Sequence, residues 1–340
     1  MSEYNINAQW TLAERAKLSL DGKRVTRALD VMGKVGVDAF MEDVPFYPAN
    51  LGLEHQITRT TSRPSSTLRT FYKGVKKTST VSQVLKEPVC LFEQRNEVDE
   101  DHIDRLDNPD EARAQMDAPH IAGLKDDFVY AMFNHARTSG GEYIDGFAAR
   151  MNRISYPGGA TTSLPYVWDN GGSTNLCSLW MVEYGPQAVH GLYPGAGARN
   201  NGTLGIDIRN KGKERVADSD DASAFYYAYV TQFKLWFGLA VWDDWKIARL
   251  ANIDREETSA TALNENLIIK MISHGKFNPG ATRIYVNPYL WSQIWMKAKT
   301  QSNVQWQPRQ ILGDEVPTIL DIPVRKLSET ILSADETQVV

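Results

Sequence analysis

PDEARAQMDAPHIAGLKDDFVYAMFNHAR, residues 109–137, is the stretch around which the chain is read. Ile121, Leu124, Phe128, Ala131 and Met132 follow at intervals of 3, 4, 3 and 1, the apolar stripe of an amphipathic helix. Asn108 can cap its start, Pro109 suits the first helical position, and Asp110 and Glu111 favour the positive end of the helix dipole. Gly140 and Gly141 stop it. Unbroken, these 29 residues would span about 43 Å at 1.5 Å per residue. The usual helix of a globular domain has about 11–12 residues. Pro119 removes one backbone bond, so the spacing predicts either a kinked spine or two ordinary core helices meeting there.

Upstream, charge is segregated. Between Gly52 and Thr80 six cations, Arg59, Arg63, Arg69, Lys73, Lys76 and Lys77, oppose Glu54, a net of +5. From 93 to 113 the acids Glu93, Glu97, Asp99, Glu100, Asp101, Asp104, Asp107, Asp110 and Glu111 oppose Arg95, Arg105 and Arg113, a net of −6. Two solvated faces would account for this, and so would a donor and an acceptor used between subunits. The basic part holds eleven Ser and Thr, which suits a two-sided solvated ribbon over 52–92 with Pro64-Ser65-Ser66 as its tip. An isolated ribbon is marginal in water, so a partner surface would help to order it. Further upstream, Thr11 and Glu14 make a capping box for a helix over Leu12–Leu20, and a second helix is expected over Lys23–Phe40.

Downstream, residues 140–175 read as irregular, Leu179–Glu183 and Ala188–Tyr193 as short strands, and 194–222 as a long Gly/Asn/Asp loop. From Phe225 to Val241 almost every odd position is apolar. That period of two predicts a long ribbon strand with its odd face buried, interrupted at Gly238. After residue 256 the pattern changes to helix (Leu263–Ile272), strand (Arg283–Val286), helix (Leu290–Trp295) and strand from Ile322, an α/β layer.

Composition and missing signatures narrow the function. A chain of 340 residues is one large domain or two and can bury about 75% of its extended-chain surface. A net charge of −5 argues against a dedicated nucleic-acid binder. No apolar run approaches the roughly 18 residues of a membrane span, and the polar N-terminus carries no signal-peptide pattern. Cys90 and Cys177 are too few for a disulfide framework or zinc site, so free thiols are expected. Pro194–Ala198 is Gly-rich without the lysine of a phosphate loop, and no G-x-S-x-G or H-E-x-x-H occurs. The six histidines show no ligand spacing. Asp243 and Asp244, between Trp242 and Trp245, could be a glycosidase pair, but such a pair more often closes a strand on the solvent side. No catalytic, cofactor-binding or metal-binding residue is assigned, and no enzyme is expected.

Several segments carry a resemblance. GLEHQITRTT (52–61), FYKGV (71–75), NEVD (96–99), LWMVEYG (179–185), VHGLYP (189–194) and RLANID (249–254), in that order and spacing, resemble the major capsid proteins of short-tailed bacteriophages over roughly residues 20–338. The resemblance implies the α+β Hong Kong 97-like capsid fold: an N-terminal arm (1–50), an extended β loop (51–92), a peripheral domain with spine helix and long strands (93–255) and an axial domain (256–340). That order departs from the type member, so the topology is expected to be permuted.

It also implies a structural protein assembling as hexamers and pentamers of an icosahedral head around double-stranded DNA, in the virion, after synthesis in the bacterial cytoplasm. Decoration and portal proteins are further candidate partners; DNA would be met only non-specifically, and no membrane or cofactor is involved. In such a shell Arg59, Arg63, Arg69, Lys73, Lys76 and Lys77 would meet Glu97, Asp99, Glu100, Asp101 and Asp104 of the next subunit. Lys73, Lys76 and Lys77 lie in the loop that the type member cross-links, but no acceptor Asn can be matched, so no cross-link is expected. An encapsulin-like nanocompartment shell and, from another class, a sheet-based hydrolase or carbohydrate-binding protein are the alternatives.

Overall fold

The computed structural model describes residues 36–137, 144–154, 166–195, 206–218, 223–300, 308–311 and 314–340. In chain order these form α1 (Val37–Asp43), β1 (Phe46–Pro48), β2 (Glu54–Ser62), β3 (Val81–Asp99), α2 (Glu100–Ile103), α3 (Pro109–Asn134), α4 (Phe147–Arg150), β4 (Val167–Asp169), β5 (Leu176–Glu183), β6 (Val189–Tyr193), β7 (Ile206–Ala217), β8 (Phe225–Val241), β9 (Ile247–Asp254), α5 (Glu265–His274), β10 (Thr282–Val286), α6 (Pro288–Thr300), β11 (Pro308–Ile311), β12 (Asp314–Ile319) and β13 (Ile322–Lys326). Two sheets result. One runs β1-β6-β8-β3-β2 with β7 also on β8; the other runs β11-β12-β13-β10-β5-β9-β4. The helix expected over Leu12–Leu20 and the part of that expected over Lys23–Phe40 before Gly36 lie outside the described residues; α1 begins only at Val37, after the left-handed Gly36 (φ 88°), and runs on past Phe40 to Asp43.

The chain forms two compact units, one from residues 91–126 and 206–235, the other from residues 36–90, 127–195 and 236–340, counting described residues. In the first, β7 and β8 pair antiparallel from Ile206↔Leu235 to Ala217↔Phe225, with a bulge between Asn210 and Gly212. Within the stretch 194–222, expected as a loop, residues 206–217 are a strand. β7 was illegible because it carries no buried apolar face: its residues from Asp207 on are exposed or half-buried, and its order comes from hydrogen bonds to β8. Ile103, Leu106 and Ala112 form a small core, with Val98, Met116 and Tyr229 against it. His120 of α3 stacks on Phe233 of β8, centroids 5.7 Å apart.

The odd face of β8 is buried at Phe233, Leu235, Phe237, Leu239 and Val241, as its period of two predicts. At the start of the strand the rule fails: Phe225 and Tyr227 are about half exposed, whereas Ala228 and Val230 on the even face are buried. The strand also runs unbroken through Gly238. A Cβ there would stand 2.6 Å from the Pro88 carbonyl, so the glycine admits a close backbone approach rather than ending the strand.

Helix α3 is one continuous element of 26 residues with Pro119 inside, so the chain does not split there. Phe128, Val129, Ala131, Met132 and Phe133 are fully buried. β2 and β3 form the expected antiparallel ribbon, from Glu54↔Pro88 to Ser62↔Val81. Beyond Ser62 residues 63–80 form no strand, and the turn lies at Phe71–Tyr72, where Lys73 N donates to Thr70 O, rather than at Pro64–Ser66.

The second unit holds the larger core. β5 is buried at all eight positions, and β9 at all but Asp254. α5 contributes Ile268 and Met271, α6 Leu290 and Ile294, and β10 and β13 Ile284, Val286, Ile322 and Val324. The helix–strand–helix–strand reading of this region holds, with β11 and β12 as additions. β5 and β6, adjacent in sequence around Gly185-Pro186, belong to different sheets. Within 140–175, α4 and β4 interrupt what reads as irregular. Among the described residues no helix is long and apolar enough to cross a membrane.

Candidate functional site

The basic residues of the ribbon fall into two groups. Arg59 is engaged inside its own unit: its guanidinium donates to Asp244 Oδ2 at 2.8 Å, to Asp244 Oδ1 at 3.2 Å and to the Val241 carbonyl. Arg63, Arg69, Lys73, Lys76 and Lys77 lie in the exposed segment 63–80. Arg69 Nε donates to Lys73 O at 2.9 Å, which braces the turn. Tyr72 holds it with a left-handed backbone (φ 64°).

That segment presents more than charge. Leu68, Phe71 and Tyr72 are 94% exposed or more, and Val75 about half. Large apolar side chains held in water this way mark contact surfaces. Charge counting missed them, because scattered apolar residues in a Ser/Thr-rich loop follow no helical or strand period. The only available signal was that they stand within a stretch too polar to need them for a core.

The acidic residues are mostly engaged within the first unit. Lys213 Nζ lies 2.5 Å from Glu100 Oε1 and 3.0 Å from Asp104 Oδ2. Tyr229 O–H donates to Asp104 Oδ1 at 3.0 Å. Hydrogen bonding to Glu100 and Asp104 raises the Lys213 pKa, and hydrogen bonding from Lys213 lowers that of Asp104. Glu97 pairs with Arg95 at 2.6 Å, and Arg95 also reaches Glu214 at 3.4 Å. Asp99 caps α2 by accepting from Asp101 N at 2.9 Å. Asp101 is exposed. The sequence could not show this, since Lys213 and Tyr229 are more than a hundred residues away and arrive only through the β7–β8 pairing.

The remaining candidates are structural. Asp243 accepts from Trp245 N at 3.1 Å to cap a short turn, and Asp244 holds Arg59. Cys90 and Cys177 are buried free thiols whose pKa burial pushes up to about 11, so neither is poised as a nucleophile. Among the described residues no group of His, Cys, Asp and Glu could hold a metal ion.

A family model described as Major capsid protein GP7 matches residues 31–340. The chain belongs to this major capsid protein family. A bacteriophage Epsilon15 structure from cryo-EM and modelling is 19% identical, with a TM-score of 0.74, over 100% of this chain and 99% of that one. The Bacteriophage JBD30 capsid is 12% identical over 94% of this chain and 98% of that one, with a TM-score of 0.47. The SrpI encapsulin of Synechococcus elongatus PCC 7942 is 13% identical over 73% and 96%, with a TM-score of 0.44. No curated protein matches. The capsid protein therefore has the Hong Kong 97-like fold and is a structural component of the phage head shell.

Proposed function

We propose that copies of this chain assemble as hexamers and pentamers of an icosahedral head around double-stranded DNA, by laying segment 63–80 on a neighbouring subunit. One observation carries the reading: Leu68, Phe71 and Tyr72 stand almost wholly in water beside Arg63, Arg69, Lys73, Lys76 and Lys77. Burying each large apolar side chain is worth about 1.5–3 kcal/mol before ordering costs, whereas an exposed ion pair gives about 0–1 kcal/mol. The apolar residues therefore supply adhesion and the cations supply register. Their acceptors are Glu97, Asp99, Glu100, Asp101 and Asp104 of the next copy; Asp101 is exposed, and the others keep acceptor sites beyond their local bonds. Arg59, held by Asp244, contributes least.

In this reading residues 1–50 are an arm, 51–92 the extended loop, 93–255 the peripheral region and 256–340 the axial region, with β5 and β9 lending strands to the axial sheet. The permuted order rests on β10–β13 following β8 and β9 in the chain. The protein performs no catalysis and takes no cofactor. It meets packaged DNA without sequence specificity, is made in the bacterial cytoplasm, and accepts portal and decoration proteins as partners.

The test is sedimentation and electron microscopy of the purified chain. Wild-type protein should form megadalton particles. Reversing Lys73, Lys76 and Lys77 to Glu should leave the circular dichroism unchanged and weaken assembly; Leu68→Ser with Phe71→Ser should weaken it more. Normal assembly of both variants at low and high salt would refute the reading.

A further inference from the structure

The root of the β2–β3 ribbon is held by a small and chemically unusual joint. Its apolar part is only Ala49, Ile57, Val89, Leu192 and Ala240, with Leu85, Trp236 and Trp242 partly buried against them. Backbone bonds close it: Val89 N to Leu53 O at 2.8 Å and Gly195 N to Gly52 O at 3.0 Å. At its centre two imidazoles meet edge to face. The rings of His55 on β2 and His190 on β6 are 5.7 Å apart, and Trp242 and Tyr47 pack on them at 6.0 and 5.0 Å. His190 is 2% exposed and His55 8%. His190 Nδ1 lies 3.1 Å from Gly185 O, but neither ring nitrogen of His55 has a hydrogen-bond partner among the described residues.

We infer that His55 and His190 form an acid-sensitive latch: neutral, they seat the ribbon root on β6 and β8; protonated, they release it while the main core of the unit stays folded. The surrounding charges fix the direction. Among the described residues the carboxylate acting on His55 is that of Glu87, its cross-strand partner, and Arg150 of α4 already grips it with bonds of 2.9 and 2.7 Å. Asp145 acts on Arg150, and Asp244 is held by Arg59, so a proton on His55 meets a paired acid, a guanidinium and a second imidazole. Burial holds both histidines below 6.5, His190 at about 4. In the released ribbon both return toward 6.5, so the closed joint binds fewer protons than the open one. Its closure is complete above about 6.5 and is lost as pH falls toward 4. For His190 alone the opening equilibrium should rise by up to about 30-fold between pH 7.5 and pH 5. This goes beyond the assembly reading and concerns the unassembled chain, so either can fail without the other.

Amide hydrogen exchange on the full-length, unassembled chain, corrected for intrinsic rates, tests it at pH 7.5 and 5.0. Peptides covering residues 50–60 and 85–92 should lose protection at pH 5 by about tenfold or more. Peptides from β5 and β9 should keep theirs. His190→Gln, which retains a donor toward Gly185 O, and His55→Phe should reduce the response to under about threefold. Glu87 and Arg150 remain in both, so carboxylate titration is separated from that of histidine. If His55→Phe does not fold, the wild type and His190→Gln decide. Unchanged protection at the root, equal loss at root and core, or a full pH response in His190→Gln would each overturn the latch.

Discussion

Replacing Phe237 with Ala tests whether the odd face of β8 is the buried one. Phe237 is 1% exposed, and its ring meets that of Phe128 edge to face at 5.1 Å. Phe128, itself 1% exposed, also packs on Phe46 at 5.8 Å, so removing the Phe237 ring takes one face of contact from a buried aromatic cluster. Truncating such a phenylalanine costs about 3–5 kcal/mol, of which the aromatic pairing is about 0.5–1.5 kcal/mol. That is a large share of the roughly 5–15 kcal/mol that holds a typical domain together. With an m-value of about 3 kcal/mol/M in urea, the unfolding midpoint should fall by about 1–1.7 M. Lys234 is the control on the even face: its ammonium pairs with Glu93 at 3.2 Å with both side chains partly exposed. Lys234→Ala should cost no more than about 1 kcal/mol. Urea unfolding of the unassembled chain, followed by far-ultraviolet circular dichroism, gives both numbers, and soluble yield gives a second measure. Equal midpoints and equal yields for the two variants would show that the face assignment is wrong.

Three other outcomes are expected. Asp43, whose carboxylate is 4% exposed, meets Arg283 at 2.9 Å, Arg325 at 3.2 Å and the Tyr285 hydroxyl at 3.3 Å, so Asp43→Ala should destabilise the chain by about 3–5 kcal/mol in denaturant unfolding. Glu336→Ala takes the carboxylate, bonded at 2.7 Å, from Arg249, which is 7% exposed and keeps its bonds to Ser178 Oγ and the Met151 carbonyl; hydrogen exchange should rise over residues 334–340, where Val339 is otherwise clasped by Asn252. Given the net charge of −5, a mobility-shift assay at physiological salt should show duplex DNA binding weaker than micromolar and without sequence preference.

Much of this protein was settled by local sequence. The stripe of residues 121–132 made a helix, the alternation after Phe225 made a long strand, and the Ser/Thr-rich basic run made a solvated ribbon, because in each case the side-chain period states which face must leave water. Ordered short matches then sufficed to indicate a capsid protein. Other features were decided by partners remote in the chain. β7 has no buried face and exists through its ladder to β8. The acids Glu100 and Asp104 meet Lys213 and Tyr229 only because the fold delivers these from more than a hundred residues away. His55 and His190 looked scattered because imidazoles 135 residues apart carry no shared period; only the fold of the ribbon root sets their rings 5.7 Å from each other. A period along the chain encodes burial, but which charges and rings meet is a property of strand order, and that is set when the whole core closes.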